Sequence, residues 1–517
     1  MFIWMRKNKT IFLFSIIMLF GIILRIWKFG ALPDGINQDE AFAGYEAYSL
    51  LCYGKDSSNY SFPVYFTTWG SGMNALEIYL MIPFVRLFGL NPFAIRLPQL
   101  IVSIFTLLVL YLLTKRIYSD NIALTALFLA AICPWHIMMS RWGLESNLTP
   151  GFLMFALYFF VLGTEKPRYF ILSSIFYGLT LYCYATIWLI VPIIISIQII
   201  YCLIYKKVYL CKEIVWSFLI LLAFAFPLFL FLLINYGLLP EIRTPFLSIP
   251  RLAVMRKGEV SLRNISSNFQ HFARILFFQS DNYHVNTIPQ YGIFYHFTLP
   301  LFLIGFICMI AENIKSIRGK SFCPSVFIII NCISPALLGL LISTNLTKIN
   351  SLFLPMLIIT AYGLICIRKK VRPVYDILCV LYIISAVSFA KYYFMDYPKD
   401  IVNDFYLGAE DMLTQADTMH KPIKVTRKLS YPVALFYTKT NVNDYIASVH
   451  YSNYPSPYLD VEQFCNYYFI SELTDLDKNF VYLLDDTYDP ALFIESGFEI
   501  THSKGIYYLA YANERSK

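Results

Sequence analysis

The chain has 517 residues, 58% hydrophobic and only 14% charged, against roughly one half and one quarter in soluble domains. With a mean hydropathy of +0.58, most of it has lipid for a solvent, which excludes fibrous, disordered and nucleic-acid-binding classes. The net charge of +8 does not by itself imply an anionic partner, because Lys and Arg gather on the cytoplasmic loops of membrane proteins.

Arg6, Lys7 and Lys9 precede the apolar run Thr10–Trp27, which no small-residue cleavage site follows, so the run reads as an uncleaved first transmembrane helix. About 20 residues at 1.5 Å each cross a hydrocarbon core of roughly 30 Å. A polar segment follows, Pro33-Asp-Gly-Ile-Asn-Gln-Asp-Glu-Ala-Phe-Ala-Gly-Tyr-Glu-Ala-Tyr48. Asp39 and Glu40 stand at the start of a predicted helix, where Asp39 is placed to be the N-cap. The spacing of Phe42, Tyr45, Tyr48, Leu50 and Leu51 predicts that this helix lies flat on the bilayer surface. Met73–Phe88, interrupted by Glu77, Pro83 and Arg86, is a second helix of that kind.

Further apolar runs occupy 96–114, 121–140, 148–163, 169–182, 185–205, 213–235, 297–314, 323–343, 350–367 and 373–391, giving eleven spans. The runs 169–182 and 185–205 are short and nearly contiguous, and a helical hairpin that does not fully cross is their alternative. Basic residues alternate with the loops as the positive-inside rule requires. One side collects Arg6, Lys7, Lys9; Lys115, Arg116; Lys166, Arg168; Lys206, Lys207, Lys212; Lys315, Arg318, Lys320; and Arg368, Lys369, Lys370, Arg372, whereas the short loops opposite hold only Arg141 and Lys348. The N-terminus is therefore expected in the cytoplasm, and residues 29–95, 236–296 and everything after Lys391 outside it. The 236–296 loop is itself basic, with Arg243, Arg251, Arg256, Lys257, Arg263 and Arg274, but long loops cross regardless of charge.

Two domains are expected: a transmembrane domain over 1–391 and an extracytoplasmic soluble domain over 392–517. The second carries 18 Asp/Glu against 10 Lys/Arg, which suits neither nucleic acid nor an anionic lipid surface. Alternating stretches at Lys424–Leu429, Val433–Tyr437 and Phe480–Leu484, broken by Asp, Asn, Pro and Gly, predict a small α/β or α+β fold. Of eleven cysteines, only Cys52 and Cys465 lie well inside polar segments, and no disulfide framework or zinc spacing is visible.

The chemistry-bearing residues collect on the outer side. A carboxylate between two interfacial helices is placed to meet a lipid-borne substrate. Arg141, at the outer end of the third span, and Lys348, at the start of the tenth, are the cations of the short outer loops, where snorkelling or an Arg141–Glu145 pair is the plainer account. Trp69, Trp142 and Tyr45 are aromatic platforms for a sugar or an isoprenoid, although interfacial aromatic belts account for most such residues. His136, Glu77, Arg274, Asp281, His284 and His296 lack metal-ligand spacing, and His136 reads as a satisfied interface histidine.

This arrangement resembles the polytopic GT-C glycosyltransferases, a superfamily that includes protein O-mannosyltransferases and the lipid A aminoarabinose transferase, and within it a bacterial branch of family 39-type enzymes. The likeness runs through residues 1–391 and rests on Gln38-Asp-Glu-Ala41, on Trp69-Gly-Ser-Gly-Met-Asn-Ala75 leading into Leu87-Phe-Gly89, on Arg96-Leu-Pro98, and on Cys133-Pro-Trp-His136 through Ser140-Arg-Trp-Gly-Leu-Glu-Ser-Asn147. The aminoarabinose transferase carries a further acidic-basic pair later in its first loop, and the corresponding Trp69-Gly-Ser-Gly-Met73 does not.

The resemblance implies an inverting transferase of the plasma membrane. Its donor would be a polyprenyl-phosphate sugar, and its acceptor a cell-envelope glycan, lipid or protein outside the cytoplasm. A general base must take the acceptor's proton, with Asp39 in that role and Glu40 as the alternative base or as the residue orienting the acceptor. A cation must meet the leaving phosphate, with Arg141 and Lys348 in that role. Tyr45, Trp69, Trp142 and Glu145 complete the expected substrate contacts; no cofactor and no metal-ligand residues are expected, and a metal requirement is left open. The competing readings are a polytopic transporter or lipid-linked-sugar flippase and a non-catalytic sensor. Against the transporter stands the scarcity of acids within the spans.

Overall fold

A computed structural model describes residues 9–255, 260 and 262–512. Arg6, Lys7, Arg256 and Lys257 of the charge pattern lie outside the described residues. Each apolar run forms a helix: α1 (Lys9–Ile26), α4 (Pro92–Ile117), α5 (Asp120–Ile132) continued by α6 (Pro134–Met139), α7 (Thr149–Gly163), α8 (Arg168–Thr180), α9 (Ile187–Ile204), α10 (Lys212–Asn235), α12 (Thr298–Arg318), α13 (Ser325–Leu341), α15 (Phe353–Lys370) and α16 (Arg372–Met395). Among the described residues, eight helical stretches are long and apolar enough to cross a membrane, while Asp120–Ile132 and Ser325–Leu341 are apolar but shorter. α8, with 13 residues, is as short as α5.

The chain divides into two compact units. The first comprises residues 1–29, 99–228 and 257–395, the second 30–98, 229–256 and 396–517.

Within the first unit, helices approach through small residues. A Cβ on Gly305 of α12 would come within 2.1 Å of the Ile359 carbonyl oxygen, and one on Gly363 of α15 within 2.6 Å of the Leu301 carbonyl oxygen of α12, so the two helices touch backbone to backbone. Buried arginines tie helix ends together. Arg25 donates to Gly21 O (2.7 Å), Ala131 O (3.1 Å), Ala130 O (3.0 Å) and His136 Nδ1 (2.5 Å). A guanidinium only donates, so His136 accepts on Nδ1 and carries its proton on Nε2. The expected satisfied interface histidine is instead fully buried, with a partner on Nδ1 and none among the described residues on Nε2, and the C-terminal carbonyls of α5 gain the cation that the helix dipole favours.

The second unit holds α2 (Gln38–Tyr53) and α3 (Leu76–Phe88). α2 was expected to lie on a bilayer surface, yet Glu40 through Ala47 are all buried. The reason is that α3 and α19 (Tyr431–Thr438) both pack on it. Gly44 is required there, since a Cβ would stand 2.7 Å from the Phe436 ring.

The same unit contains a seven-stranded mixed sheet in the order β6 (Glu499–His502), β7 (Tyr508–Tyr511), β5 (Val481–Leu484), β1 (Ile423–Thr426), β4 (Tyr467–Ile470), β3 (Val461–Phe464), β2 (His450–Tyr451). β1 is parallel to both neighbours, and the remaining pairs are antiparallel. Tyr482, Leu484, Phe493, Phe498 and Tyr508 form an apolar cluster on it. Two of the three alternating stretches thus contain strands. The third, Val433–Tyr437, is the helix α19, because Ser430 stands at its N-cap and Pro432 in its first turn, where a fixed φ favours a helix start. Cys52 and Cys465 are free thiols.

Candidate active site

The acidic pair is sorted by helix capping. Asn37, not Asp39, is the N-cap of α2. Its Oδ1 accepts from Asp39 N at 3.0 Å, while Glu40 Oε2 accepts from Asn37 N at 3.1 Å, completing a capping box. The correction has a simple origin: two residues upstream stands another good capping side chain, and the Glu three residues after it selects that register. Asp39 is left in the first turn, partly exposed, where the helix dipole favours a carboxylate.

Glu40 is enclosed completely. Arg96 meets it as a fork, Nε to Oε1 at 2.8 Å and Nη2 to Oε2 at 2.8 Å, and is itself fully buried. The same guanidinium donates to Pro33 O (2.7 Å), Gly35 O (2.9 Å) and Gly30 O (3.4 Å). Arg96 therefore pins both the turn that leads into α2 and the helix's third residue. A lysine offers neither the fork nor five donors.

The tail segment braces the turn from another direction. Ile36 N donates to Phe405 O (2.8 Å) and Asn37 Nδ2 to Asp404 O (3.0 Å). Gly35 has φ +84°, and a Cβ there would stand 2.1 Å from Phe405 O, so the position is closed to any larger residue. Tyr406 donates to Gln38 Oε1 at 3.3 Å. Its hydroxyl pKa is pushed up to about 12 by burial first and by the nearby Asp39 carboxylate. The tail thus supplies backbone acceptors and a phenol to the acid-bearing turn.

A second carboxylate pair lies further along α2. Glu46 accepts from Ser57 N at 2.9 Å and from the Ser57 hydroxyl, and Asp56 accepts from Tyr60 N (2.7 Å) and Ser58 N (2.9 Å). Burial pushes Asp56 up to about 7 against the pull of those amides and of Arg243. Burial, and then the Asp56 charge, raises Glu46 well above the carboxylate range. Nothing in the spacing of Glu46 and Asp56 marked them as a buried pair.

Two of the expected aromatic platforms are inside the protein. Tyr45 is 1% exposed and its hydroxyl donates to Thr440 O at 2.8 Å, so it holds the tail segment and not a substrate. Trp142 is 5% exposed and faces, with Trp135, Asn147 and Asn286, a void of about 10 Å³, room for about one water and not for a sugar ring. Trp69 is partly exposed, with its ring centroid 5.3 Å from Tyr431 and 6.0 Å from Phe42.

Of the two cations, Arg141 is fully buried. Its Nη1 donates to Arg25 O (2.7 Å) and Leu24 O (3.4 Å), and its guanidinium lies over the Tyr393 and Phe394 rings. It caps the C-terminal end of α1. Lys348 is partly exposed. Its Nζ donates to Ser343 O at 3.3 Å, while its backbone N–H is held by Asn345 Oδ1 at 2.9 Å. Glu145 opens a short 3₁₀ turn, Glu145–Leu148. Asn350 Nδ2 and Gln99 Nε2 fasten that turn through Ser146 O (2.8 Å) and Asn147 O (3.0 Å). Asp281 clasps Leu346 N (3.0 Å) and Asn286 Nδ2 (2.8 Å). Among the described residues no three His, Cys, Asp or Glu side chains gather as a metal-ligand set.

The structure thus brings Asp39, Glu40, Tyr45 and Trp69 into the second unit, and places Arg141, Trp142, Glu145 and Lys348 in the first. Arg96, which appeared in the sequence only as part of an Arg-Leu-Pro signature, is the residue that sequence reasoning missed. The available signal was a lone cation at the mouth of an apolar run, where burial demands an acidic partner.

Comparison with known proteins bears on the fold. The family described as dolichyl-phosphate-mannose-protein mannosyltransferase matches residues 76–234, short of half the chain. No curated protein matches by sequence. Among solved structures, ArnT from Cupriavidus metallidurans bound to undecaprenyl phosphate aligns with 99% of this chain and 99% of its own, at 11% identity and a TM-score of 0.55. The same protein in the apo state aligns over 98% of each at 10% identity and a TM-score of 0.56. The oligosaccharyltransferase of Archaeoglobus fulgidus, in complex with Zn and sulfate, aligns with 73% of this chain at 16% identity and a TM-score of 0.48, and the chain spans about half its length, 52%. The chain shares the fold of ArnT over nearly its whole length. Together with the family match, this supports the resemblance to GT-C membrane glycosyltransferases.

Proposed function

We propose that the chain is a membrane glycosyltransferase that moves a sugar from a polyprenyl-phosphate donor to an acceptor on the extracytoplasmic side of the plasma membrane. The observation that carries the reading is the division of labour within the acidic pair. Glu40 is consumed by Arg96 and the capping box, while Asp39 is held beside it at the start of the same helix, partly exposed and not used as the cap. A carboxylate set rigidly at a helix start, on a turn fastened by Arg96 and by the backbone of residues 404–405, has the fixed orientation that proton abstraction from an acceptor hydroxyl requires.

Asp39 is the base in this reading and Glu40 a positioning residue. The acceptor's oxygen attacks the anomeric carbon from the face opposite the phosphate, its proton passes to Asp39, and the sugar–phosphate bond breaks with inversion. The polyprenyl phosphate leaves carrying the electron pair. Lys348 is the cation assigned to that phosphate, and Arg141 contributes by fixing the end of α1. Trp69 is the remaining aromatic platform. The match to a mannosyltransferase family over residues 76–234 and the fold shared with a protein bound to undecaprenyl phosphate support a lipid-linked donor. Eleven crossings with the N-terminus inside place residues 29–95 and the tail on the outer face, on the strength of the charge alternation.

Mass spectrometry of lipids and envelope glycans from a strain lacking this chain tests the reading. It expects an accumulated polyprenyl-phosphate sugar together with loss of one glycan, lipid or protein decoration. Unchanged lipid pools and an unchanged envelope would overturn it.

A further inference from the structure

An apolar cavity of about 440 Å³ within the first unit is bordered by α7, α8, α9 and α10. This is within the size range of ligand pockets, and the chemistry of its wall restricts what enters. The buried hydroxyls in the wall are already satisfied: Ser173 donates to Ala156 O (2.9 Å), Ser217 to Glu213 O (2.7 Å) and Tyr177 to Gln198 Oε1 (2.9 Å). The rest of the lining is Phe, Leu, Ile, Val, Pro and Ala, with Ser174 and Ser196. A sugar or headgroup would lose its hydration there without compensation. A hydrocarbon chain loses nothing.

The length of the cavity selects among hydrocarbon chains. Its lining on α8 begins at Phe170 and ends at Leu181, about 16 Å at the helical rise, which is half of a hydrocarbon core of roughly 30 Å. At the Leu181 end α8 and α10 come together: Gly178 packs against the Phe224 ring, where a Cβ would stand 2.4 Å from it, and Tyr182 donates to Phe224 O at 2.8 Å. The occupant is therefore one leaflet long.

The end of the lining near Phe170, Val208 and Ile214 carries charge. Phe170, Val208 and Ile214 of the lining lie within two residues of Arg168, Lys206 and Lys212, and Lys166 and Lys207 belong to the same two connections. Arg168, Lys166, Lys206 and Lys212 are exposed. Arg168 lies over the Tyr169 ring at 5.1 Å and Lys207 over the Phe322 ring at 4.9 Å. Of the acids there, Glu165 is paired with Arg116, leaving Glu213 beside five bases. A hollow of about 470 Å³ is lined by Lys166, Arg168 and Tyr209 together with Glu165, Pro167 and Glu213; with Glu165 engaged by Arg116, a phosphate there meets two bases and one remaining acid.

We propose that this cavity is a binding site for one anionic phospholipid, with an acyl chain buried between α8 and α10 and its phosphate met by Lys166, Arg168 and the lysines of 206–212. Its assignment to the cytoplasmic leaflet rests on the orientation proposed above. Neither Asp39 nor Lys348 is among its lining residues. It keeps open a gap between helices that otherwise have little to pack against, since only 22% of the apolar stretch of α10 and 39% of that of α9 is buried within the protein.

Native mass spectrometry of the delipidated full-length chain, titrated with dioleoyl phosphatidylglycerol or dioleoyl phosphatidylcholine, tests the proposal. One phosphatidylglycerol is expected to stay bound at energies that strip phosphatidylcholine. Lys166→Gln and Arg168→Gln are each expected to weaken it about fivefold, leaving phosphatidylcholine unaffected. Ser174→Phe and Ser196→Phe, at different walls of the cavity, should each displace the retained lipid while sugar transfer persists. Equal affinity for the two lipids, unchanged phosphatidylglycerol binding in both charge variants, or retention in both filled variants would overturn it. So would undecaprenyl phosphate outcompeting phosphatidylglycerol for this site. Asp39→Asn is expected to bind the lipid normally, so loss of the transferase reading alone leaves this inference standing.

Discussion

Removing either partner of the Arg96–Glu40 pair is expected to cost more than removing both. Each side chain is fully buried and each supplies two contacts of 2.8 Å to the other. Deleting Glu40's charge as Glu40→Gln leaves a buried guanidinium without its counter-charge, held by the carbonyls of Gly30, Pro33 and Gly35 and lying over the Phe405 ring. Deleting Arg96 as Arg96→Gln leaves a buried carboxylate that keeps the Asn37 N–H as a donor but has lost its counter-charge. Stranding one charge of a buried pair costs about 3–5 kcal/mol, whereas the double variant strands none. The coupling energy in a double-mutant cycle is therefore expected at about 2 kcal/mol or more in favour of the pair. Arg96→Lys keeps the charge but loses the fork, for about 1.5–3 kcal/mol. The assay is thermal or denaturant unfolding of the purified chain in one detergent, with sugar transfer measured in parallel. Because the pair positions Asp39, Arg96→Lys is expected to lower kcat with little change in donor KM. Additive single-variant losses, or an Arg96→Lys protein of parental stability and turnover, would refute the role assigned to the pair.

The Glu46–Asp56 pair makes stability depend on pH. Asp56 rises from an ordinary 3.8 to about 7 on folding, so the folded state binds the proton more tightly. That contribution is complete below about pH 4 and is lost as pH climbs through 7. Unfolding temperature is therefore expected to fall between pH 5 and 7.5, and Asp56→Asn to flatten the slope; an unchanged slope in the variant contradicts the assignment. Lys348→Ala is expected to raise the donor KM with stability kept, whereas Arg141→Ala, which uncaps α1, is expected to destabilise the chain; equal stability and equal donor dependence in both would return them to a structural class. Introduced cysteines at 55–60, 260–265 and in the tail are expected to react with an impermeant reagent in intact cells, and those at 206–212 and 368–372 to be spared; labelling of the last two groups would invert the orientation.

Helix positions were legible because the apolar run is a local property: Thr10–Trp27 and Lys9–Ile26, or 213–235 and Lys212–Asn235, agree to within one or two residues. Strands at 423–426 and 481–484 were legible for the same reason. What the sequence concealed is long-range. Glu40 and Arg96 are 56 residues apart and Asn37 and Asp404 are 367 apart, and no periodicity connects them. Tyr45 looked like a platform because its helical face is aromatic; its burial depends on α19, nearly four hundred residues later. Asp39 as the cap was the wrong register by two positions, an error that the Glu three residues after Asn37 was able to correct. The grouping of 30–98 and 229–256 with the tail likewise follows from contacts such as Ile36 to Phe405, not from composition, which separates the tail by its acidity.

The central claim is that Asp39 accepts a proton. Asp39→Asn keeps the side chain's shape, and because Asn37 supplies the cap, it is expected to leave stability within about 1 kcal/mol of the parent. Transfer of sugar from a polyprenyl-phosphate donor, measured on the purified protein in lipid vesicles with the variant confirmed as folded, is expected to fall by roughly a hundredfold or more in kcat. Folded Asp39→Asn protein that transfers sugar at near the parental rate would contradict the account at its central residue.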